Sequence, residues 1–397
     1  MTFEEIERRF ADNVIANYAR QPICIVRGAG SRVWDSGGRS YLDLFPGWGV
    51  GGLGHCHPGI VAAIQAQAAK LIHVANHFYS EEQGAFAEAI VSRAPGFKVF
   101  FCNSGAEANE AAIKLARLSH QPKFGIVAME RSFHGRTLGA VSATGHPEYR
   151  KGFEPTVPGF AYAKMNDVDS VKELVDDKTC AIMVEPVQGE GGVIPATREF
   201  LEGLRGICDQ HGLALIFDEV QTAPCRLGAW FGYQRYGVTP DILTAAKAIA
   251  GGMPMAAMLA KPELSGFLKP GTHGSTFGGH SLGCAAGVAA FKIMAEEDII
   301  GNVITLGAWL DGKLAGLSGN PRVKATRRAG FMVGIELDIP GADVVSDCRD
   351  NGLLINCTHR TVLRLLPALN SKQAELEEGL AILSSALDRA AERDGAG

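Results

Sequence analysis

The sequence lacks the features that would place this chain in a membrane or on nucleic acid. It has no long uninterrupted apolar run, because its most apolar segment, TAAKAIAGGMPMAAMLA, contains Lys247, a glycine pair and Pro254. We therefore expect no membrane-spanning helix. It also lacks an excess of positive charge, since its formal net charge is −5. This balance argues against nucleic acid or an anionic membrane as the main partner.

Paired cysteine motifs are missing as well. The nine cysteines are scattered and odd in number, and no CxxC spacing occurs, so neither a disulfide framework nor a zinc site is indicated. The one metal-like cluster is HCH at 55–57, whose adjacent side chains point apart, and we expect it to be structural, with no metal ion. We expect reduced thiols and a cytoplasmic location, since the first residues, MTFEEIERRFADNV, lack the apolar core of a signal peptide.

The arrangement of apolar segments predicts an α/β fold. The chain of 397 residues is long enough for two domains. From about residue 97, short apolar strands alternate with helical stretches, which is typical of a mostly parallel sheet. After about residue 281 the sequence becomes helix-rich. We expect an N-terminal segment (1–55) that belongs to a small α+β domain, a large domain (56–280), and the C-terminal part of the small domain (281–397).

Adjacent carboxylates follow one of the predicted strands. In GLALIFDEVQTAPCRLG (212–228), an apolar run ends on Asp218 and Glu219, with Val220 and Gln221 just beyond. Ligands of parallel sheets bind at the carboxyl ends of the strands. An isolated Asp-Glu pair at such a place more often simply caps a loop, so this stretch alone leaves both interpretations open.

A second strand end carries small residues. In FFCNSGAEANEAAIKLAR, the turn Ser104–Ala106 separates a strand from a helix. A helix N-terminus offers free N–H groups to an anion, and Gly105 lets a phosphate approach closely. A plain strand-to-helix turn remains the alternative.

Two further segments offer chemistry at predicted strand ends. In RSFHGRT, Phe133 is able to stack on a flat ring, and Arg136 offers a planar fork for a carboxylate. A core phenylalanine, a surface arginine and a packing histidine at His134 are the alternatives. In DILTAAKAIAGG, Lys247 follows an apolar strand, where burial lowers the pKa of an amine and makes it nucleophilic; a lysine at a strand end is often only structural.

Together these residues meet the requirements of pyridoxal phosphate. This cofactor needs a lysine to which it bonds and an acid that keeps its pyridine nitrogen protonated. Lys247 and Asp218 are our candidates for these roles. We expect Val220 and Phe133 to pack on opposite faces of the ring and Gln221 to reach the ring hydroxyl. Glu219 has no evident role.

The chain resembles the class III aminotransferases of pyridoxal-phosphate fold type I, and among them the acetylornithine aminotransferases. The resemblance extends from about Val26 to Pro367. Its motifs, in chain order, are VRGAGSRVWDSGGRSYLDL, LGHCHP, FCNSGAEANEAAIKLAR, FHGRTLGAVSATGHPEYRKGFEP, EPVQGEGGVIPAT, DEVQT and PGTHGSTFGG.

The resemblance implies roles for particular residues and an assembly. Those that would contact the cofactor are Ser104, Gly105, Ala106, Phe133, Asp218, Val220, Gln221 and Lys247. Thr276 would reach the phosphate of the partner subunit, which implies a homodimer with shared sites. Ser275 and Arg136 would contact the substrate, with Arg136 on the carboxylate remote from the reacting amine.

The resemblance also implies a switch between substrates. Glu190 would neutralise Arg364 while the amino donor is bound, and would swing aside when glutamate or 2-oxoglutarate brings a carboxylate to the reacting carbon. A static salt bridge is the alternative.

The implied reaction is transfer of a terminal amino group. N-acetylornithine and 2-oxoglutarate would give N-acetylglutamate semialdehyde and glutamate, a step of arginine biosynthesis. Three stretches depart from the family pattern: Ala223–Cys225 after DEVQT, His280-Ser281 after STFGG, and Trp48, which stands where a small aliphatic residue usually lines the substrate pocket. Ornithine, succinylornithine, 4-aminobutyrate and carrier-bound lysine are the alternative donors. A racemising or decarboxylating enzyme of the same class and a metabolite-binding α/β module are the more distant alternatives.

Overall fold

The computed structural model describes residues 2–395, and the side chains of residues 2–392. The α-helices in this range are α1 (Phe3–Asn13), α2 (Pro58–Lys70), α3 (Glu81–Val91), α4 (Gly105–Ser119), α5 (Leu138–Ala143), α6 (Pro147–Arg150), α7 (Val168–Leu174), α8 (Arg198–His211), α9 (Gly232–Tyr236), α10 (Pro262–Ser265), α11 (Ser281–Glu296), α12 (Ile299–Leu317), α13 (Ala342–Asp350) and α14 (Gln373–Gly395). Short 3₁₀ helices cover Pro46–Gly49 and Lys247–Ala250.

The strands alternate with these helices through the middle of the chain. They are β1 (Ile25–Ala29), β2 (Arg32–Asp35), β3 (Ser40–Asp43), β4 (Lys98–Cys102), β5 (Gly125–Met129), β6 (Phe160–Ala163), β7 (Thr179–Val184), β8 (Val187–Gln188), β9 (Ile194–Pro195), β10 (Ala214–Asp218), β11 (Ile242–Ala245), β12 (Ala256–Ala260), β13 (Val323–Ala329), β14 (Met332–Leu337), β15 (Leu353–Leu354), β16 (Asn356–Thr358) and β17 (Val362–Leu365).

The largest sheet of the described chain has seven strands in the order β4-β12-β11-β10-β7-β5-β6. Strand β12 runs antiparallel to both of its neighbours, and the other neighbouring pairs are parallel. This arrangement confirms the predicted α/β class with a mostly parallel sheet. It also brings the carboxyl ends of β4, β5, β7, β10 and β11 to one edge of the sheet.

The central strands are apolar along their whole length because helices cover both faces of the sheet. Every residue of β7, β10, β11 and β12 is buried. Helix α8 shows how a covering helix is specified: Thr197 Oγ1 accepts a hydrogen bond of 3.1 Å from Phe200 N at its start, and Gly212 ends it with a left-handed φ of 61°. Its buried residues are Phe200, Leu201, Leu204, Ile207 and Cys208.

Two four-stranded sheets, besides the two-stranded pair β8-β9, lie outside the central sheet of the described chain. The first has the order β1-β2-β3-β15, in which Leu353 pairs with Leu42 from the beginning of the chain. The second has the order β13-β14-β17-β16. The pairing of β3 with β15 supports our proposal that residues 1–55 and 281–397 form one small domain beside the large domain (56–280); the last two residues lie outside the described range.

Within residues 2–395, the structure has no helix that is both long and apolar enough to cross a membrane.

Candidate active site

A cavity of about 510 Å³ opens at the carboxyl ends of the parallel strands. Ten of the residues singled out in the sequence line it: Ser104, Gly105, Ala106, Phe133, Arg136, Glu190, Asp218, Val220, Gln221 and Lys247. They come from five separate stretches of chain, and the sheet topology brings them together. The wall also contains residues that the sequence did not indicate, among them Val50, Asn103, Asn109 and Glu185.

The turn after β4 forms an anion-binding end of the cavity. Ser104 caps α4 through a hydrogen bond of 3.2 Å from Glu107 N to its Oγ, and Glu107 Oε2 accepts one of 2.9 Å from Ser104 N. The next two N–H groups, of Gly105 and Ala106, have no partner among the described residues. A side chain at position 105 has no room, because its Cβ would lie 2.7 Å from Val220 Cγ1. This turn therefore suits a close-lying phosphate.

Lys247 lies just beyond the carboxyl end of β11. Lys247 begins a 3₁₀ helix with a left-handed φ of 50°, and its Nζ donates a hydrogen bond of 2.8 Å to Gln221 Oε1. Burial is the main reason why the pKa of Lys247 falls to about 8 from an ordinary value near 10.5. A lysine amine with this pKa is available as a nucleophile and as a base near neutral pH.

The carboxylate of Asp218 is held in a buried polar network. His134 Nδ1 lies 2.7 Å from Asp218 Oδ2, and Asn109 Nδ2 donates to the same oxygen at 2.7 Å. Val220 N donates to Asp218 Oδ1 at 3.0 Å. Burial alone lowers the pKa of His134, but the hydrogen bond and charge of Asp218 outweigh burial and raise it. His134 therefore supports Asp218 and is more than a packing residue.

Glu219 points away from the cavity and has a structural role. Successive side chains of a strand point to opposite faces, and the carboxylate of Glu219 accepts hydrogen bonds from the first backbone N–H groups of α9. Tyr233 N donates at 2.8 Å, Gly232 N also donates, and Thr222 Oγ1 donates at 2.9 Å. Burial raises the pKa of Glu219 to about 7. The sequence assigned no role to this acid; its contacts show that it caps α9.

Glu190 and Arg364 form an ion pair beside the cavity. Arg364 Nη2 donates to Glu190 Oε1 at 2.7 Å, and Arg364 Nε donates to Asn356 Oδ1 at 3.1 Å. The guanidinium is fully buried, and its Nη1 has no hydrogen-bond partner among the described residues. Burial by itself raises the pKa of Glu190, but the charge of Arg364 outweighs it and lowers the pKa. Thr358 Oγ1 donates at 2.7 Å to the backbone oxygen of Glu190.

A further acid, Glu185, connects two segments of the cavity wall through hydrogen bonds. Its carboxylate accepts hydrogen bonds from Phe133 N at 2.9 Å and from Gly189 N at 3.2 Å. Burial raises the pKa of Glu185. In the sequence this residue stands at the end of the strand CAIMVEP and begins the motif EPVQGEGGVIPAT, but neither signal indicated its role.

Four of the residues singled out in the sequence do not line this cavity. Arg364 stands behind Glu190. Trp48 is 52 % exposed, and its backbone oxygen accepts a hydrogen bond of 3.1 Å from Gln221 Nε2, while Val50 contributes to the wall. Ser275 Oγ accepts a hydrogen bond of 3.1 Å from Asn103 Nδ2, and Thr276 is exposed on the surface.

The two departures in the loops make defined contacts. The Ala223–Pro224 peptide bond is cis, and Cys225 has a left-handed φ of 64°. Arg226, at the end of this stretch, donates from Nη1 to the backbone oxygens of Pro367 and, at 3.3 Å, Phe331. In the other departure, His280 Nδ1 accepts from Gly283 N at 3.1 Å and so caps α11.

The histidines of the HCH stretch also make structural contacts. His55 Nε2 lies 2.8 Å from Asp43 Oδ2, and His57 Nδ1 accepts a hydrogen bond of 3.2 Å from Gly59 N at the start of α2. The described residues include no group of three or more His, Cys, Asp and Glu side chains suited to a metal ion.

The fold and the site together define an α/β enzyme with an anion cradle, an amine nucleophile and a buried acid around one cavity. Residues 14–387 match the family described as Aminotransferase class-III, and the chain belongs to this family.

Named relatives agree with this membership. The chain is 46% identical over 377 residues to the acetylornithine aminotransferase of Caldanaerobacter subterraneus subsp. tengcongensis, which covers 93% of this chain and 96% of that protein. It is 45% identical over 358 residues to the acetylornithine aminotransferase of Methanocaldococcus jannaschii, with 89% and 90% covered.

Solved structures share the fold. The ornithine aminotransferase from Toxoplasma gondii ME49 superposes with a TM-score of 0.95 at 31% identity, over 99% of this chain and 96% of that one. The acetylornithine aminotransferase from Elizabethkingia anophelis gives a TM-score of 0.88 at 32% identity, over 98% and 99% of the two chains. Another structure of the Toxoplasma gondii enzyme has partial occupancy of pyridoxal phosphate at its active site.

Proposed function

We propose that this chain is a pyridoxal-phosphate-dependent aminotransferase that moves the terminal amino group of N-acetylornithine to 2-oxoglutarate. The products are N-acetylglutamate semialdehyde and glutamate, and the step belongs to arginine biosynthesis. The observation that carries the proposal is the convergence of Lys247 and Asp218 on one cavity next to the α4 anion cradle. The curated acetylornithine aminotransferases that match at 41–46% identity support the choice of donor.

The residues of the cavity fit pyridoxal phosphate. The unpartnered N–H groups of Gly105 and Ala106 suit its phosphate. Asp218, held by His134 and Asn109, suits a protonated ring nitrogen, and the amide of Gln221 suits the ring hydroxyl. When bound, the cofactor supplies the electron-withdrawing ring that makes the C–H bond beside the reacting nitrogen acidic.

We assign the proton transfer to Lys247. With the cofactor bound, its Nζ would act as base towards the reacting carbon of the donor and then as acid, and so would carry the proton that the transfer moves. A pKa of about 8 makes both protonation states of this amine accessible near neutral pH. The hydrogen bond from Nζ to Gln221 Oε1 at 2.8 Å holds the amine at the cavity wall. Phe133 and Val220 enclose the ring from opposite faces in this proposal.

We assign the two substrate carboxylates to two arginines. Arg136 lines the cavity and binds the carboxylate remote from the reacting amine. Glu190 neutralises Arg364 while the donor is bound, because the donor has no carboxylate at its reacting carbon. With 2-oxoglutarate, Glu190 moves aside and Arg364 binds the second carboxylate. The unpartnered Nη1 of Arg364 supports this use, since it leaves a donor free.

We further propose a homodimer with shared sites, in which Thr276 and Ser275 complete the site. Exposed apolar residues surround these two on the surface. Phe277 is 59% and Phe78 67% exposed, and Asn76 Nδ2 donates to the backbone oxygen of Ser275 at 3.2 Å, which ties the two segments together. A patch of this kind is typical of an interface between subunits.

Trp48 belongs to the same proposal as a substrate contact completed by the partner. Its ring packs edge-on against Phe45 at 5.9 Å, and Phe45 lies 5.1 Å below the guanidinium carbon of Arg364. These contacts support a place beside the substrate. The free state of all nine cysteines supports a cytoplasmic location.

The direct test is a spectral titration of the cofactor-loaded protein with N-acetylornithine, ornithine, succinylornithine and 4-aminobutyrate. We expect N-acetylornithine to bleach the visible band at the lowest concentration, and the subsequent addition of 2-oxoglutarate to restore the band and release glutamate. If another amine acts at a lower concentration, the donor assignment is wrong. If the protein fails to take up pyridoxal phosphate, the enzyme assignment is wrong.

A further inference from the structure

Among the residues that the structure describes, two aromatic rings and no hydrogen-bond acceptor hold the guanidinium of Arg136. Its central carbon lies 4.0 Å from the ring centroid of Tyr149 and 5.6 Å from that of Phe133. Among the described residues, no side-chain or backbone acceptor takes a hydrogen bond from Arg136. The side chain is therefore fixed in place while its N–H donors stay free for a ligand.

Tyr149 contacts two residues of the cavity wall at once. Its ring meets Phe133 edge-to-face, with the centroids 5.7 Å apart and the planes at 86°, and its face meets Arg136. The charges of Glu190 and Arg364 also act on the Tyr149 hydroxyl. Tyr149 thus contacts Arg136 directly and lies within electrostatic reach of Arg364, the other arginine that the proposed function assigns to a carboxylate.

The backbone around this pair is independently anchored. Glu110 Oε1 accepts hydrogen bonds from Thr137 Oγ1 at 2.6 Å and Gly139 N at 2.8 Å, directly after Arg136. On the other side, Gly145, four residues before Tyr149, donates from its N to Ser132 Oγ at 3.0 Å, and its backbone oxygen accepts from Arg131 N at 3.1 Å. We therefore expect that loss of the Tyr149 ring leaves the backbone in place and frees the Arg136 side chain.

We propose that Tyr149 is a specificity-determining positioning residue, which presents Arg136 to substrates that carry a carboxylate remote from the reacting amine. The inference rests on the proposed function, in which Arg136 binds that carboxylate. The negative face of the Tyr149 ring attracts the cation, while the guanidinium edge, with its paired N–H groups, faces the ligand. Tyr149 acts through Arg136 and does not itself need to touch the substrate.

The test compares two donors that differ only in the carboxylate. N-acetylornithine has it, and N-acetyl-1,4-diaminobutane is the same molecule without it. In the holoenzyme, Tyr149→Leu is expected to lower the ratio of their kcat/KM values about 5- to 20-fold, the range that a partly desolvated cation–π contact supplies. Tyr149→Phe keeps the ring and is expected to leave the ratio unchanged. A role in folding alone would lower both kcat/KM values together and leave the ratio unchanged, which would overturn the proposal.

A second variant keeps the volume of the ring in case Tyr149→Leu folds poorly. Pentafluorophenylalanine at position 149 has nearly the same shape as phenylalanine but a positive ring face. It is expected to lower the same ratio, whereas an unchanged ratio with this residue contradicts the proposal. The matched control is Phe160→Leu, which removes another arginine–aromatic contact, with Arg117 at 5.2 Å, outside the cavity wall. This control is expected to leave the ratio unchanged.

A binding measurement provides a readout without turnover. N-acetylnorvaline has the carboxylate and the acetamido group but no terminal amine, and N-butylacetamide lacks the carboxylate as well. Calorimetry with the holoenzyme is expected to show that Tyr149→Leu weakens the binding of N-acetylnorvaline but not that of N-butylacetamide.

Arg136→Leu distinguishes a failure of the proposed function from a failure of the inference about Tyr149. If it leaves the ratio of the two donors unchanged, the proposed role of Arg136 is wrong. If it lowers the ratio and Tyr149→Leu does not, only the inference about Tyr149 is wrong.

Discussion

Arg364 Nη2 and Glu190 Oε1 lie 2.7 Å apart, and the arginine of this pair is fully buried. Two further hydrogen bonds position this pair. Thr358 Oγ1 donates to the backbone oxygen of Glu190, and Arg364 Nε donates to Asn356 Oδ1. A buried arginine whose charge is balanced by a single carboxylate is suited to accept a substrate carboxylate in its place.

Glu190→Gln is therefore expected to change substrate preference. Without the negative charge of Glu190, the cation of Arg364 has no counter-charge when N-acetylornithine is bound. The carboxylate of bound glutamate still pairs with Arg364. The kcat/KM of the N-acetylornithine half-reaction should fall about 10-fold relative to that of the glutamate half-reaction, a difference of about 1.4 kcal/mol. Stopped-flow absorbance of the two half-reactions measures the ratio. Glu336→Gln, which removes an ion pair of 2.6 Å with Arg327 away from the cavity wall, is the control. An equal loss in both half-reactions would contradict the switch.

The amine of Lys247 is expected to show its lowered pKa in its reactivity. Below about pH 8 the amine is protonated and cannot attack an aldehyde, and above this pH it is neutral. The rate at which apoprotein captures pyridoxal phosphate should therefore reach half its maximum near pH 8. Borohydride trapping at successive pH values, followed by peptide mass spectrometry at Lys247, measures this rate. A midpoint near 10.5 would show that the site does not lower the pKa.

Asp218→Asn is expected to abolish most of the activity while the fold remains. An amide has no charge with which to keep a ring nitrogen protonated, and the loss in kcat should be about 10²- to 10⁴-fold. Fluorescence titration should also show weaker binding of pyridoxal phosphate. Retention of kcat within a few-fold would rule out Asp218 as the acid beneath the cofactor.

Glu219→Ala is expected to lower the stability of the fold, whereas the adjacent Asp218→Asn is expected to lower activity and leave the fold intact. It leaves the buried N–H groups of Gly232 and Tyr233 without an acceptor, which costs about 2–5 kcal/mol of unfolding free energy. Urea unfolding measures this loss. The exposed Glu202→Gln is the comparison, and it should change the unfolding free energy by less than about 0.5 kcal/mol. A Glu219 variant of normal stability would contradict the capping role.

The proposed sharing of sites between subunits predicts complementation between two inactive chains. Lys247→Ala removes one half of each site, and Ser275→Ala with Thr276→Val removes the half contributed by the partner. In a mixed dimer, one of the two sites retains both halves. Co-expression should therefore restore up to about a quarter of the wild-type activity. Activity no greater than that of the two variants measured separately would show that each site belongs to a single chain.

The sequence alone determines the fold class and predicts the principal candidate residues of the site. Apolar runs bounded by polar residues identified buried strands such as β10 and β11, because a strand covered on both faces is apolar throughout. Since the carboxyl ends of parallel strands share one edge, Asp218 and Lys247 were predicted to converge before any contact was known. The Ser104–Ala106 turn is predicted from a local signal, which is the transition from a strand to a helix.

Only the tertiary structure decided what supports these residues. His134 and Asp218 are 84 positions apart, and no periodicity or motif records that their side chains meet. Glu219 and Asp218 look alike in the sequence, but the direction of each side chain from the strand sends one to a helix cap and the other to the cavity. Tyr149 is another example, since its contact with Arg136 depends on how α6 packs against the loop that follows β5. Long-range contacts of this kind depend on the packing of the whole chain, so a local pattern does not specify them.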